Sequence, residues 1–195
     1  MDILDQELLQ GKVLDRIEEN IEEERRCHLR QWRGRARRRV ALVLAALLVV
    51  AGLATLLFGG VGIDGESMEP ALHQDDAAIY LRCPAAYGPQ DIVVFQAKTG
   101  GVLVKRVIAV GGDTVDVDAL TGRVSVNGVV LNEPYVTGDG RHSDSVCFPI
   151  TVPEGELFVL GDNRDVSMDS RNEEIGTVPV SAVLGKVVTV LRTHF

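Results

Sequence analysis

Three places in the chain hold residues whose types are out of keeping with their surroundings. Lys105 lies in VLVKRVIAV, residues 102–110, an otherwise apolar run bounded by Gly100–Gly101 and Gly111–Gly112. Strands that are apolar at consecutive positions are usually buried on both faces. A lysine there either snorkels to the surface or loses its hydration. Desolvation disfavours the ammonium form, and moving a lysine pKa from about 10.4 to about 7 corresponds to roughly 4–5 kcal/mol. A lysine neutral at working pH is a competent general base. Ser67 sits in IDGESMEPAL, residues 63–72, where Gly65 permits unusual backbone angles and Pro70 fixes a bend. Such a turn presents a serine hydroxyl and a backbone N–H together, as acyl transfer requires, although a serine beside Gly and Pro is commonly a plain turn residue. The third place is GDNRDVSMDSRNEEIG, residues 161–176. Its alternating acids, arginines and serines (Asp162, Asn163, Arg164, Asp165, Ser167, Asp169, Ser170, Arg171) suit either a solvated loop or a hydrogen-bonded scaffold that holds active-site groups.

The elements around these residues are short and β-like. Ala77–Leu81, Asp91–Gln96, Val102–Val110, Thr114–Val117, Val124–Val126, Val129–Leu131, Leu157–Leu160 and Val183–Leu191 read as strands separated by Gly, Pro and Asp. Asn127–Gly128 suits a type I′ turn that sets Val124 and Val126 across a hairpin from Val129 and Leu131. No helical period persists beyond residue 59, and many strands with few helices predict a mainly β fold, closed or nearly closed and antiparallel. Residues 1–30 differ: Leu4, Leu8, Ile17 and Ile21 recur at helical spacing among Glu and Arg, as in a solvated or weakly docking helix.

Between these halves, Val40 to Phe58 carries no charge over 19 residues. At about 1.5 Å per residue that nearly matches a hydrocarbon core of about 30 Å. Six arginines precede it between Arg30 and Arg39, and no Lys or Arg occurs from Gly59 to Leu81. The positive-inside rule therefore puts residues 1–39 in the cytoplasm and 59–195 outside. The run is too long for a cleaved signal peptide and lacks an A-x-A-like site after it, so it reads as an uncleaved, single-pass anchor in the plasma membrane. The net charge of −8 is segregated: residues 59–195 hold ten basic and nineteen acidic side chains, with no basic stripe to suggest nucleic acid. Cys27, Cys83 and Cys147 lack the spacing of a metal site, so no cofactor is expected; Cys83 and Cys147 could pair or remain free thiols.

Taken in order behind the apolar run, SMEP (Ser67–Pro70), QDIVVF (Gln90–Phe95), KRVIAVGGD (Lys105–Asp113) and GDNRDVSMDSR (Gly161–Arg171) resemble the bacterial type I signal peptidases, membrane-bound Ser–Lys proteases that cut signal peptides from exported proteins. The resemblance covers roughly residues 40–190 and leaves 1–39 outside. It implies that Ser67 is the nucleophile, Lys105 the general base and Ser167 the serine that orients the lysine. It further implies that Arg106 pairs with Asp162 and Asp169 with Arg171 as structural support. Ile63, Leu72, Leu103 and Val104 would wall pockets selecting small side chains before the cut. The fold implied is two antiparallel sheets about a barrel-like core, with a small β cap near residues 114–150. Partners would be exported preproteins, the bilayer and nearby secretion machinery.

The chain departs from the family pattern in carrying Gly65 where some members place a serine as oxyanion donor, as in single-span Gram-positive enzymes; the hole would then rest on the Ser67 N–H and a water or further backbone donor. Glu66 is an unusual charge directly before the nucleophile. Competing readings are a Ser–His–Asp hydrolase using His142, a Ser–Lys self-cleaving repressor, an enzyme dedicated to a few substrates such as pilins, and a membrane-tethered binding domain. The first lacks a G-x-S-x-G elbow, because position 69 is Glu. The second would carry a DNA-binding head and no span. A binding module has no use for Ser67, Lys105 and Ser167 together.

Overall fold

The computed structural model describes residues 16, 25, 32, 37–140 and 146–192. The helix expected over residues 1–30 falls, but for two positions, outside the described residues, as does His142. The chain divides into two compact units, Met1–Leu53 and Ala54–Phe195. The first holds most of the helix α1, Arg37–Leu57, whose 21 residues are long and apolar enough to cross a membrane. Its large apolar side chains are exposed along its whole length, Leu48 at 74% and Leu56 at 72%. The apolar run Val40–Phe58 and α1 differ at both ends. At its N-terminal side the described part of the helix already includes Arg37–Arg39, which precede the apolar run. Phe58 is drawn instead into a strand, where it pairs with Leu81.

Among its described residues the second unit contains eleven strands: β1 Phe58–Gly62, β2 Ala77–Leu81, β3 Ile92–Gln96, β4 Val102–Val110, β5 Thr114–Val117, β6 Val124–Val126, β7 Val129–Val130, β8 Ile150–Thr151, β9 Glu156–Leu160, β10 Val178–Pro179 and β11 Val183–Leu191. They form a seven-stranded sheet, β1-β2-β11-β3-β4-β9-β10, and a four-stranded sheet, β7-β6-β5-β8. Every strand pairing is antiparallel. The fold is thus mainly β, as the sequence texture predicts. Its larger sheet is open rather than closed, with β1 and β10 as edges among the described residues. The hairpin between β6 and β7 turns at Asn127 (φ 54°) and Gly128 (φ 78°), the two left-handed positions of a type I′ turn.

Three strands escape the sequence patterns. β1 (FGGVG) is glycine-rich and weak in β propensity, so its pairing with β2 specifies it. A Cβ on Gly59 would run into the Tyr80 ring, which explains that glycine. β8 and β10 are only two residues long and exist through their neighbours' hydrogen bonds.

The core has three clusters. One gathers Val93, Phe95, Val107, Leu157 and Val159 from the middle of the large sheet. A second joins Ile108, Phe158 and Leu160 of that sheet to Val115, Val117 and Val124 of the small one. A third packs Ile63, Met68, Leu72 and Ala78 beneath the loop that carries Ser67. β4 lies at the junction, pairing with β3 along its first half and with β9 along its second, and both partners meet at Arg106.

Candidate active site

Ser67 is positioned from below. The loop between β1 and β2 is closed at its neck, where the Ile63 N–H donates to the Asp76 carbonyl (2.8 Å) and the Asp75 N–H to the Ile63 carbonyl (2.9 Å). Within it, Met68 and Leu72 stand one turn apart, linked by Leu72 N–H donating to Met68 C=O at 2.9 Å. Both side chains are 1% exposed in the third core cluster. Ser67 directly precedes this anchored turn, and its carbonyl accepts the Asn163 N–H at 3.1 Å. Gly65 has φ 97°, a conformation that a side chain resists. A serine in its place would be strained at this φ.

Lys105 approaches from β4. It is 3% exposed, and its Nζ donates to Ser67 Oγ at 2.6 Å. Burial pulls its pKa down from 10.5 to about 8; Asp169 opposes that fall, Arg171 adds to it, and Asp162 opposes it again. The strand's fixed pleat gives the amine its aim. Val93 pairs opposite Lys105 and is fully buried, so the lysine stem runs between apolar neighbours toward the serine.

The loop after β9 supplies the charged frame. Arg106 grips Asp162 with two parallel bonds, Nε to Oδ1 at 2.8 Å and Nη2 to Oδ2 at 2.5 Å. Its remaining nitrogen donates to the Gln90 carbonyl at 3.1 Å. Asp169 accepts from Arg171 Nε at 2.9 Å and from the Gly161 N–H at 3.0 Å. Arg171 also donates to the Arg164 carbonyl at 2.8 Å. These charges are almost wholly buried, and a buried charge is tolerable only when fully partnered. The loop is therefore a closed scaffold and not a solvated turn. Ser170 adds to it by accepting the Val159 N–H at 3.0 Å.

Ser167 lies in the same loop. Its Oγ is buried and makes no hydrogen bond among the described residues. It packs on Gly161, where an added Cβ would strike both the Ser167 side chain and the Ser67 carbonyl. Gly161 thus lets the Ser167 loop and the Ser67 turn approach each other closely.

A cleft of about 420 Å³ opens over the pair, lined by Gly65, Ser67, Leu103, Lys105, Val166 and Met168, with Asp64, Glu66 and Gln74 on its exposed side. Of the four expected wall residues, Leu103 lines this cleft, two positions before Lys105 on the same face of β4. Ile63, Leu72 and Val104 instead pack together in the third core cluster, beneath the Ser67 turn. The period-two spacing around Ser167 turns Val166 and Met168 into the cleft, exposed at 59% and 50%. Sequence reading missed both, although apolar residues alternating within a charged loop were the available signal. Cys83 and Cys147 are exposed free thiols.

Residues 36–192 match the family described as signal peptidase, peptidase S26. The chain belongs to that family. It is 34% identical over 157 residues to a signal peptidase I of Bacillus licheniformis, spanning 75% of this chain and 80% of that one. It is 45% identical over 113 residues to a probable signal peptidase I of Mycobacterium leprae, spanning 46% of this chain and 39% of the other. A crystal structure of a signal peptidase I from Enterococcus faecalis V583 aligns over 55% of this chain and all of its own, at 32% identity and a TM-score of 0.44. Membership of the signal peptidase family makes the chain a serine peptidase. The signal peptidase match takes in both α1 and the β unit, so the apolar helix belongs with the peptidase.

Proposed function

We propose that this chain is a membrane-anchored endopeptidase that removes N-terminal signal peptides from exported preproteins with a Ser67–Lys105 dyad. The 2.6 Å contact between a buried lysine and the hydroxyl of a turn serine carries the reading. With its pKa near 8, Lys105 is neutral in roughly a tenth of molecules at pH 7 and in half at pH 8. Neutral Lys105 takes the Ser67 proton as Oγ attacks the scissile carbonyl. The Ser67 backbone N–H, which donates to no other group among the described residues, stabilises the oxyanion. Lys105, now protonated, gives its proton to the leaving amine. It then draws a proton from water, which attacks the acyl-enzyme, and passes that proton to Ser67 Oγ as the acid product leaves.

Ser167 is assigned the task of orienting the Lys105 amine, its unpartnered hydroxyl being available to accept from Nζ as the lysine moves. Arg106–Asp162 and Asp169–Arg171 hold the lysine strand and the Ser167 loop against each other. Leu103 forms the apolar wall that takes the small side chains before the cut, with Ile63, Leu72 and Val104 shaping it from behind. The anchor helix confines the site to the bilayer surface, where a preprotein's apolar segment is already held, which raises its effective concentration. The six arginines before α1 favour a cytoplasmic N-terminus and an extracytoplasmic β unit, close to the secretion machinery.

The test is cleavage of several exported preproteins carrying A-x-A sites by the full chain in proteoliposomes. Ser67→Ala and Lys105→Ala each reduce processing by a factor on the order of 10³ or more while the protein stays folded and membrane-bound. Parental processing by either variant would overturn the dyad.

A further inference from the structure

Three catalytic segments meet at this site: the nucleophile turn, β4 and the loop after β9. A fourth segment, residues 133–137 (EPYVT), touches all of them without entering the cleft. Tyr135 lies under the Arg106 guanidinium, which stands 4.2 Å from the ring centroid. Its hydroxyl donates to Glu133 Oε1 at 2.9 Å and accepts from Gln90 Nε2 at 3.3 Å. The same Glu133 oxygen accepts from Arg164 Nη2 at 2.6 Å. Thr137 forms a parallel bridge with Asn163: its N–H donates to the Asp162 carbonyl, and its carbonyl accepts the Arg164 N–H, each at 2.9 Å. Thr137 Oγ1 donates to the Glu69 carbonyl, two residues after the nucleophile, at 3.2 Å. The strap is thus bonded to the residue after Lys105, to both neighbours of Asn163, whose N–H holds the Ser67 carbonyl, and to the turn that presents Ser67.

We propose that the Glu133–Thr137 strap is a positioning element for the Ser67–Lys105 pair, with Tyr135 as its principal positioning residue. The inference rests on the dyad reading of the site. A cation held over a ring face is stabilised when water is kept away, and Arg106, the residue after Lys105 on β4, holds Asp162, whose carboxylate acts on the Lys105 charge. Burial beside Glu133 pushes the Tyr135 pKa up to about 12, so its hydroxyl remains a donor throughout the working pH range. Opening this contact frees Arg106 to move and admits water beside the lysine strand. The cleft, lacking every strap residue among its lining, keeps its shape for substrate.

The experiment compares the full chain with Tyr135→Leu and Tyr135→Phe, measuring kcat and KM on a preprotein. A parallel titration follows the Lys105 ε-carbon by NMR in 13C-lysine-labelled protein, with Lys105→Ala assigning the signal. Tyr135→Leu is expected to lower kcat about tenfold with KM within twofold of the parent, and to move the Lys105 titration upward toward the ordinary lysine range. Tyr135→Phe, which keeps the ring face, stays within about threefold of the parent. Tyr135→Leu with parental kcat and titration overturns the proposal. So does a loss of activity that merely tracks the folded fraction measured by circular dichroism. If the parent itself cleaves no preprotein, the dyad reading fails, and the lysine titration alone decides whether the strap positions Lys105.

Discussion

The two sheets of the β unit are built from similar strands but manage polarity in opposite ways. In the four-stranded sheet, Val115, Val117 and Val124 face the core, while charged and small polar groups stand outside. Its hairpin tip is exposed at Val129 and Val130, and none of the buried charged residues lies in β5–β8. The seven-stranded sheet carries Lys105 and Arg106 in the buried middle of its junction strand, and the loop after β9 answers Arg106 with Asp162, pairs Asp169 with Arg171 and sends Arg164 to Glu133. Hydrophobic burial alone can hold the small sheet. The large sheet needs a closed network of partnered charges, because an unpaired charge at such depth costs several kcal/mol. That difference marks where the chain accepts an energetic cost for chemistry: a lysine stripped of water next to a serine.

The largest way to break this contrast is to open the network. Asp162→Ala leaves the Arg106 guanidinium, with its side chain 11% exposed, without its carboxylate. The expected loss of stability is about 3–5 kcal/mol, read from urea unfolding of the protein in detergent. A shift below about 1 kcal/mol would show that water already reaches the pair. A second expectation concerns pH. Lys105 is depressed by burial to about 8, so its reactive neutral form grows as pH rises through that value. The rate constant kcat/KM should accordingly climb about tenfold between pH 6.5 and pH 7.5 and level off above about 9. A flat profile across this range would remove the neutral lysine from the mechanism.

Smaller effects test finer parts of the contrast. Ser167→Ala should lower turnover about tenfold without abolishing it, because the role proposed for the hydroxyl is to orient the base and not to bond substrate. Unchanged turnover and an unchanged pH profile would leave Ser167 with a packing role only. In the small sheet, Gly128→Ala forces a Cβ into a left-handed position at φ 78°. It should cost about 1 kcal/mol of stability while leaving kcat intact, since no catalytic group touches the hairpin tip. A drop in kcat there would mean that the two sheets are coupled more tightly than their chemistry suggests.

Much of this is legible in the sequence. Hydrophobic alternation, turn residues and the Asn127–Gly128 pair located eight of the eleven strands, because in those stretches local propensity and burial agree. Where they disagree the sequence was mute: glycine-rich β1 and the two-residue β8 and β10 are specified by partners distant in the chain. The site was legible in part. Lys105 stood out by being charged within an apolar strand, and Ser67, in a turn that is commonplace by itself, by its place behind the apolar run and ahead of that lysine and the charged loop. The strap at residues 133–137 gave no such sign, since Glu, Tyr and Thr after a hairpin are ordinary surface residues until the fold lays them across Arg106 and Asp162.

By itself, then, the sequence determined the β character of the unit, the apolar helix and the identity of the residues able to do chemistry. Residue type and near-neighbour spacing are enough for those. Only the tertiary structure decided that Lys105 meets Ser67 across 38 positions at 2.6 Å, that Leu72 and Ile63 lie behind the cleft wall, and that Gly65 is held at a positive φ that a side chain resists. Those outcomes depend on strand register and loop closure, which are set by contacts between residues far apart along the chain and leave no local trace.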